Sequence, residues 1–435
     1  MSVNPRRLVL LLALVGLLVS APSSHAASTE PQVDVIKVQG VIDPALSSFV
    51  RGAIKSADRD GATVVLQVDS RGTFGDQAER LAGFLRTVSV PVVAWVGPSG
   101  ARAEGGALFL VYASDLVAIS PGAGVGPARP FDLATKAALE RPAPVAERAR
   151  QLQALAAASG IPTEVVRRLV DGAALAAGPA QRSGAAVVVA ATVPDLLRRI
   201  DGRQVRTSRG PVSLATLNRT DRPVVTRFEE IGFVDRVLHA VSTPTAAYVL
   251  LLIGLWGVAF EFTQPGLGMA GIAGAVALGF AGYGLTVVPV HWVGLALLLA
   301  GVGGQALDVV IKRVAVLTLA GTAAFLAGSL LAWRGVAPAV DLSLWLVILA
   351  TIAGLLLFGF GMTVALKARE RVRTAQVGLV GLTGEVRSDL NPEGGVYVKG
   401  TLWRARSMDG PIPAGRRVRV KGIDGLILRV EEEPQ

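Results

Sequence analysis

Apolar positions recur along the chain in three rhythms. In residues 32–205 short β-branched runs alternate with amphipathic stretches. Val33 to Val38 reads as a period-two strand, and Thr63–Val68, Val92–Val96, Asp115–Ile119 and Val187–Val189 as further strands. Between them Pro44–Ala57, Gly75–Val88, Ala107–Tyr112, Pro144–Ser159, Thr163–Asp171 and Pro179–Ser183 have helical spacing. Strands separated by helices of this length predict βαβ units and a mainly parallel sheet, that is, an α/β domain.

The second rhythm is continuous apolarity. Five runs, about 245–263, 267–288, 291–311, 314–333 and 342–366, each approach the roughly 20 residues that cross a hydrocarbon core. Short turns at Gln264–Gly266 and Pro289–His291 predict helical hairpins. The third rhythm, residues 376–435, is one of short strands: Leu379–Val386, Gly395–Val398, Leu402–Ala405, Arg417–Lys421 and Ile427–Glu431. Gly, Pro and Asp turns separate them, which predicts a small five-stranded β-barrel of OB type. Residues 206–242 are arginine-bearing and poorly periodic, and read as a linker and juxtamembrane piece ending in an amphipathic helix, Glu229–Val241. Residues 1–27 read as a signal peptide, with Arg6 and Arg7, an apolar Leu8–Val19 and small residues Ser24, Ala26 and Ala27 at a cleavage site. The expected partition is therefore 1–27, 32–205, 206–242, 243–366 and 376–435.

Composition agrees with a multidomain membrane protein. The 435 residues are 51% hydrophobic and only 17% charged, and residues 243–366 hold six formal charges: Glu261, Asp308, Lys312, Arg313, Arg334 and Asp341. With an extracytoplasmic N-terminal domain and five spans, Lys312, Arg313, Lys367, Arg369, Arg371 and Arg373 fall on the cytoplasmic side, while the opposite loops contain only Arg334. That matches the excess of Lys and Arg in cytoplasmic loops and predicts a cytoplasmic barrel; the expected location is the plasma membrane of a bacterium. The net charge of +10 is thus accounted for in part by topology. Nucleic-acid binding by the barrel is the alternative, but both signs are interleaved there and only Tyr397 and Trp403 offer stacking faces. Glu261 and Asp308 fall near span ends, where a charge costs less, and for Glu261 packing at the hairpin turn explains it better than transport.

The small counts restrict chemistry more than the large ones. There is no cysteine, which removes disulfides, thiol nucleophiles and thiolate metal sites. Histidine occurs only at His25, His239 and His291, so the α/β domain cannot assemble a Ser-His-Asp triad, and no pair has metal-ligand spacing. No metal and no cofactor are expected. His239 and His291 are explained by positions at the membrane interface. The one arrangement with the look of an active site is Asp69-Ser70-Arg71-Gly72-Thr73 after one strand and Gly97 to Gly106 after the next. Backbone amides at such helix starts can hold an oxyanion, whereas tight turns and close packing explain the same glycines without function.

Several of these segments resemble the NfeD (nodulation formation efficiency D) family, in particular its long form, a membrane-bound serine protease with a Clp-protease/crotonase-like domain. The resemblance is carried by Asp69-Ser-Arg-Gly72, Val96-Gly-Pro-Ser-Gly-Ala-Arg-Ala103, Ser120-Pro-Gly-Ala-Gly-Val-Gly126 and Phe260-Glu-Phe-Thr-Gln-Pro-Gly-Leu-Gly268. It resumes in Gly394 to Ala405 and in Ile412 to Val420. It implies an OB-type barrel, self-assembly into a homo-oligomer, and partnership with stomatin/flotillin-type membrane proteins within the lipid bilayer.

It also implies a Ser–Lys dyad, which this chain does not match. The nucleophile position falls on Gly105, and the base position near Gln153, on a helix with Arg148 and Arg150 but no lysine. Arginine does not deprotonate and cannot replace that base. In the oxyanion turn Gly72 is followed by Thr73 where a second glycine is usual, leaving Gly72, Thr73, Gly105 and Gly106 as its remnant. Glu104, beside the vacant nucleophile position, reads as a helix-start carboxylate. The expectation is a catalytically degenerate, protease-like scaffold. The alternative is an active serine endopeptidase using Ser99 or another hydroxyl with Lys136, a loop lysine out of register with the dyad.

Overall fold

The computed structural model describes residues 32–134, 141–218, 224–263, 268–311, 316–334, 342–361 and 378–433. The expected signal peptide and Lys136 lie outside them. The chain divides into two compact units, 1–250 with 279–290 and 333–342, and 251–278 with 291–332 and 343–435.

In the first unit the elements run β1 (Gln32–Gln39), α1 (Pro44–Asp60), β2 (Thr63–Asp69), α2 (Gln77–Leu85), β3 (Val92–Val96), β4 (Arg102–Ala103), α3 (Ala107–Ala113), β5 (Leu116–Ile119) and β6 (Gly124–Val125). They continue with α4 (Pro142–Ala158), α5 (Thr163–Val170), β7 (Leu175–Ala176), α6 (Ala177–Arg182), β8 (Val188–Val189) and α7 (Val193–Ile200). β9 (Gln204–Thr207), β10 (Gly210–Ser213), β11 (Val225–Glu229) and α8 (Phe233–Val241) follow.

Six strands form one parallel sheet in the order β11-β1-β2-β3-β5-β8. A parallel sheet needs both faces covered, which is why its strands are runs of Val, Ile and Leu. Even-numbered residues Ile36, Val38, Val64, Leu66 and Val68 pack against Leu46, Val50 and Ile54 of α1 and Leu81 and Leu85 of α2. Odd-numbered Val33, Val35, Val65, Val93 and Trp95 meet Leu196, Leu197 and Ile200 of α7. Trp95 seals that layer by donating its indole N–H to the Ala190 carbonyl at 3.0 Å. The short strands β4, β6 and β7 form a separate three-stranded sheet beyond the ends of the main one.

Part of the segment read as a linker belongs to this domain. β9 and β10 pair as a hairpin, and β11 adds an edge strand to the sheet beside β1. Arg227 fixes that edge: its guanidinium donates to both carboxylate oxygens of the buried Asp34, at 2.9 Å each, and to Asp60 at 3.0 Å. Val-Thr-Arg-Phe-Glu is too short and too polar to be recognised as a strand without its partner. α8 begins at Phe233, four residues later than expected, because Glu229 closes β11.

The apolar region folds as α9 (Pro244–Thr263), α10 (Met269–Val287), α11 (Trp292–Ile311), α12 (Val316–Ala332) and α13 (Leu344–Leu356), the last continued by a π turn to Gly361. The first three are long and apolar enough to cross a membrane, and the last two are shorter apolar helices. Small residues let them approach closely. A Cβ on Gly301 would stand 2.5 Å from the Phe325 amide nitrogen, and one on Gly274 2.9 Å from that of Val258. The acidic residues are used as caps. Glu261 accepts from the Gly271 amide at 3.1 Å, and Asp308 from the amide and hydroxyl of Thr318 at 2.9 and 2.6 Å. Hairpin packing, expected for Glu261, accounts for Asp308 as well.

The C-terminal strands β12 (Thr383–Val386), β13 (Glu393–Val398), β14 (Thr401–Ser407), β15 (Arg417–Asp424) and β16 (Ile427–Glu432) close a barrel in the order β12-β13-β14-β16-β15. Val386, Val396, Val398, Ala405, Val418, Val420, Leu428 and Val430 alternate inward to fill it.

Candidate functional site

The segments following β2 and β3 lie side by side at the carboxyl ends of the sheet, where ligands of parallel α/β sheets bind. Asp69 accepts from the Arg102 amide at 3.0 Å, Ser70 donates its amide to the Arg102 carbonyl at 2.7 Å, and Glu104 donates its own to the Ser70 carbonyl at 3.0 Å. These bonds bring Gly72, Thr73, Gly105 and Gly106 together.

A third segment, Pro127–Leu133, closes over them. Gly105 has φ +56°, and its amide donates to the Pro127 carbonyl at 2.8 Å. A Cβ at this position would stand 2.5 Å from the Pro130 carbonyl oxygen. At Gly106 a Cβ would collide with the Thr73 methyl and come within 2.5 Å of the Phe131 carbonyl oxygen. Gly72, at φ +143°, has the Leu133 side chain 2.9 Å from its Cβ direction. Thr73 is turned inward: its hydroxyl donates to the Ile42 carbonyl at 2.8 Å, and its carbonyl accepts from the Leu133 amide at 2.9 Å. Asp132 anchors the segment by accepting from the Gly75 amide at 2.9 Å. An oxyanion requires amide hydrogens pointing into open space. Here the Gly105 amide is taken by the chain's own Pro127 carbonyl.

The other candidates are dispersed. Ser99 is exposed on the turn before β4, its hydroxyl against Gly122. Gln153 is half-buried on α4 between the buried Leu152 and the core-facing Ala156. On the same helix Arg148 lies 3.2 Å from Glu79, and Arg150 pairs with Glu147. Burial pushes the Glu79 carboxyl above its ordinary range against the opposing pull of Arg148. Both arginines of α4 are therefore engaged in ion pairs. Lys136 falls outside the described residues, and Glu104 is half-buried at the start of α3.

Two features escaped the sequence reading. The proline-rich run Gly126-Pro-Ala-Arg-Pro signals a stiff segment, but nothing in it says which glycines it covers. The second feature is a pair joining α8 to α1. His239 on α8 has Nδ1 2.6 Å from a carboxylate oxygen of Asp43 and Nε2 3.2 Å from the Gln39 carbonyl. Asp43 is also the N-cap of α1, accepting from the Leu46 amide at 2.8 Å. The Asp43 hydrogen bond raises the His239 pKa against the effect of burial.

Two family models match the chain: the NfeD integral membrane domain over residues 245–363 and the NfeD-like C-terminal, partner-binding domain over 377–432. Among curated proteins, a membrane-bound protease of Pyrococcus horikoshii is 28% identical over 417 residues, 92% of this chain and 93% of its own. Among solved structures, a membrane protease specific for a stomatin homolog from Pyrococcus horikoshii is 21% identical, with TM-score 0.42, covering 49% of this chain and 99% of that one. The C-terminal domain of a stomatin operon partner protein from the same organism is 47% identical, with TM-score 0.14, covering 14% of this chain and all of that domain.

Proposed function

Since the chain carries the NfeD membrane domain followed by the NfeD-like C-terminal domain, we propose that it is a membrane-embedded scaffold whose protease-like α/β domain is catalytically silent. Its partner is a stomatin/flotillin-type membrane protein. One observation carries the first half of this reading: the nucleophile position, Gly105, has a left-handed backbone and a carbonyl oxygen 2.5 Å from where any Cβ would stand. Acyl transfer needs a side-chain nucleophile, an available base and an open oxyanion site. Gly105, Gln153 and the occupied Gly105 amide supply none of the three. The full-length similarity to a membrane-bound protease supports shared descent of the domain order.

The second half rests on the partner-binding description of the matched C-terminal domain and on its surface. Tyr397 and Leu402, opposite each other on β13 and β14, are both exposed on the barrel. Tyrosine is among the residues that most often carry binding energy at interfaces, and Leu402 extends its apolar surface. The basic residues that flank the spans support an extracytoplasmic α/β domain and a cytoplasmic barrel, in a bacterial plasma membrane. Self-assembly into a homo-oligomer belongs to the same reading.

The test has two arms. Purified full-length protein should leave hydrophobic peptides uncleaved, and cleavage abolished by Ser99→Ala would restore the endopeptidase alternative. A purified stomatin-type membrane protein should bind the full chain, and Leu402→Asp should weaken that binding at least about tenfold, the effect of a contact worth about 1.4 kcal/mol. Equal binding by the variant would remove the barrel face from the proposal.

A further inference from the structure

The outward face of α8 has no partner within the described residues of its unit. Phe233 is 80% exposed and Val234 61%, and Phe228 at the end of the preceding strand is 57% exposed. Ala240 continues the same apolar stripe. The opposite face is held by α1 through the His239–Asp43 pair, so the helix cannot turn its phenylalanine inward.

The surroundings of α8 indicate what covers it. Its last residue, Val241, is two residues from Pro244, where the first membrane helix begins. The Val241 carbonyl also stands 2.8 Å from where a Cβ on Gly284 would lie, near the end of α10, a second membrane helix. The Ala247 methyl, in the first turn of α9, stands 2.9 Å from the same Cβ position, so α8 ends at the face where two membrane helices meet.

We propose that α8 lies on the membrane surface as an interfacial helix, with Phe233 and Val234 seated at the headgroup–acyl boundary of the phospholipid bilayer that the chain spans. Amphipathic helices bind such surfaces by burying an apolar face to a shallow depth. Arg236, exposed one turn after Phe233, and Lys37 beside it stand where headgroup phosphates would meet them, with Glu230 between the two cations. The His239–Asp43 pair sets the rotation of the helix, which makes it a positioning device for the apolar face.

The natural chain has no cysteine, so single labels can be placed in the full-length protein. Phe233→Cys, Val234→Cys and, as control, Val187→Cys would each carry a nitroxide in phosphatidylcholine vesicles. Val187 is an exposed apolar residue next to β8, at the opposite edge of the sheet. All three sites are exposed, where substitution rarely disturbs folding. Labels at 233 and 234 should collide more with oxygen than with a water-soluble nickel chelate, and the label at 187 should show the reverse ratio. A chelate-dominated ratio at 233 and 234, equal to that at 187, would overturn the proposal. Spin–spin broadening at 233 that disappears on dilution with unlabelled protein would overturn it in favour of a second copy of the chain.

Discussion

Position 105 is kept free of a side chain in two ways, by its left-handed backbone and by the Pro130 carbonyl above it. On the proposed reading, installing a nucleophile there takes more than one substitution. Gly105→Ser should lower stability by at least about 1 kcal/mol, the usual cost of a left-handed L-residue, with the overlap adding to it. Thermal unfolding of the purified variant checks this, and a stable, peptide-cleaving Gly105→Ser protein would show that Pro127–Leu133 yields easily. Arg227 offers a second test at this scale. Truncating it leaves Asp34, only 1% exposed, without its cation. Loss of one member of a buried pair costs about 3–5 kcal/mol. Arg227→Ala should accordingly unfold at clearly lower denaturant, whereas Arg199→Ala, at an exposed pair with Asp195, should change little. The sequence makes Gly105 legible through the motif around it. It does not show that Pro130 fills the space, because that contact joins residues 25 positions apart across a turn.

At the scale of elements, β11 and α8 tie the membrane-proximal segment to the α/β domain. Both ring nitrogens of His239 face acceptors, Asp43 and the Gln39 carbonyl, an arrangement that favours the doubly protonated ring. Its pKa is accordingly raised above the ordinary value near 6.5. A raised folded-state pKa means that this latch contributes in full below about pH 6.5 and fades as the pH climbs through the folded value. Protection of the α8 amides from hydrogen exchange should fall over that interval, and His239→Gln should remove the pH dependence. A pH-independent wild type would contradict the doubly bonded imidazolium. Among the membrane helices, the α11–α12 contact depends on Gly301. Gly301→Val forces a branched side chain against Phe325 and should cost about 1–3 kcal/mol, seen as a lower melting temperature in detergent.

The elements differed in how far the sequence revealed them. Runs such as Thr63–Val68 and the apolar blocks are strong periodic signals, and so are the alternating barrel strands. β11 has no such signal, since it is stable only beside β1 with Arg227 paired to Asp34. The His239–Asp43 pair is invisible for the same reason: 196 positions separate its members.

At the scale of the molecule, an α/β domain, apolar helices and a five-stranded barrel follow one another along one chain, and NfeD family models match the second and third of these. An active protease and a silent scaffold can share that order. On the proposed reading the difference lies in a few atoms around Gly105. The most direct measurement is the intact mass of the full-length protein after treatment with a serine-directed fluorophosphonate in lipid vesicles. The account predicts no added mass, with an active serine peptidase labelled in parallel. Stoichiometric addition of one phosphonyl group, mapped to Ser99 or to any other hydroxyl of the α/β domain, would contradict it.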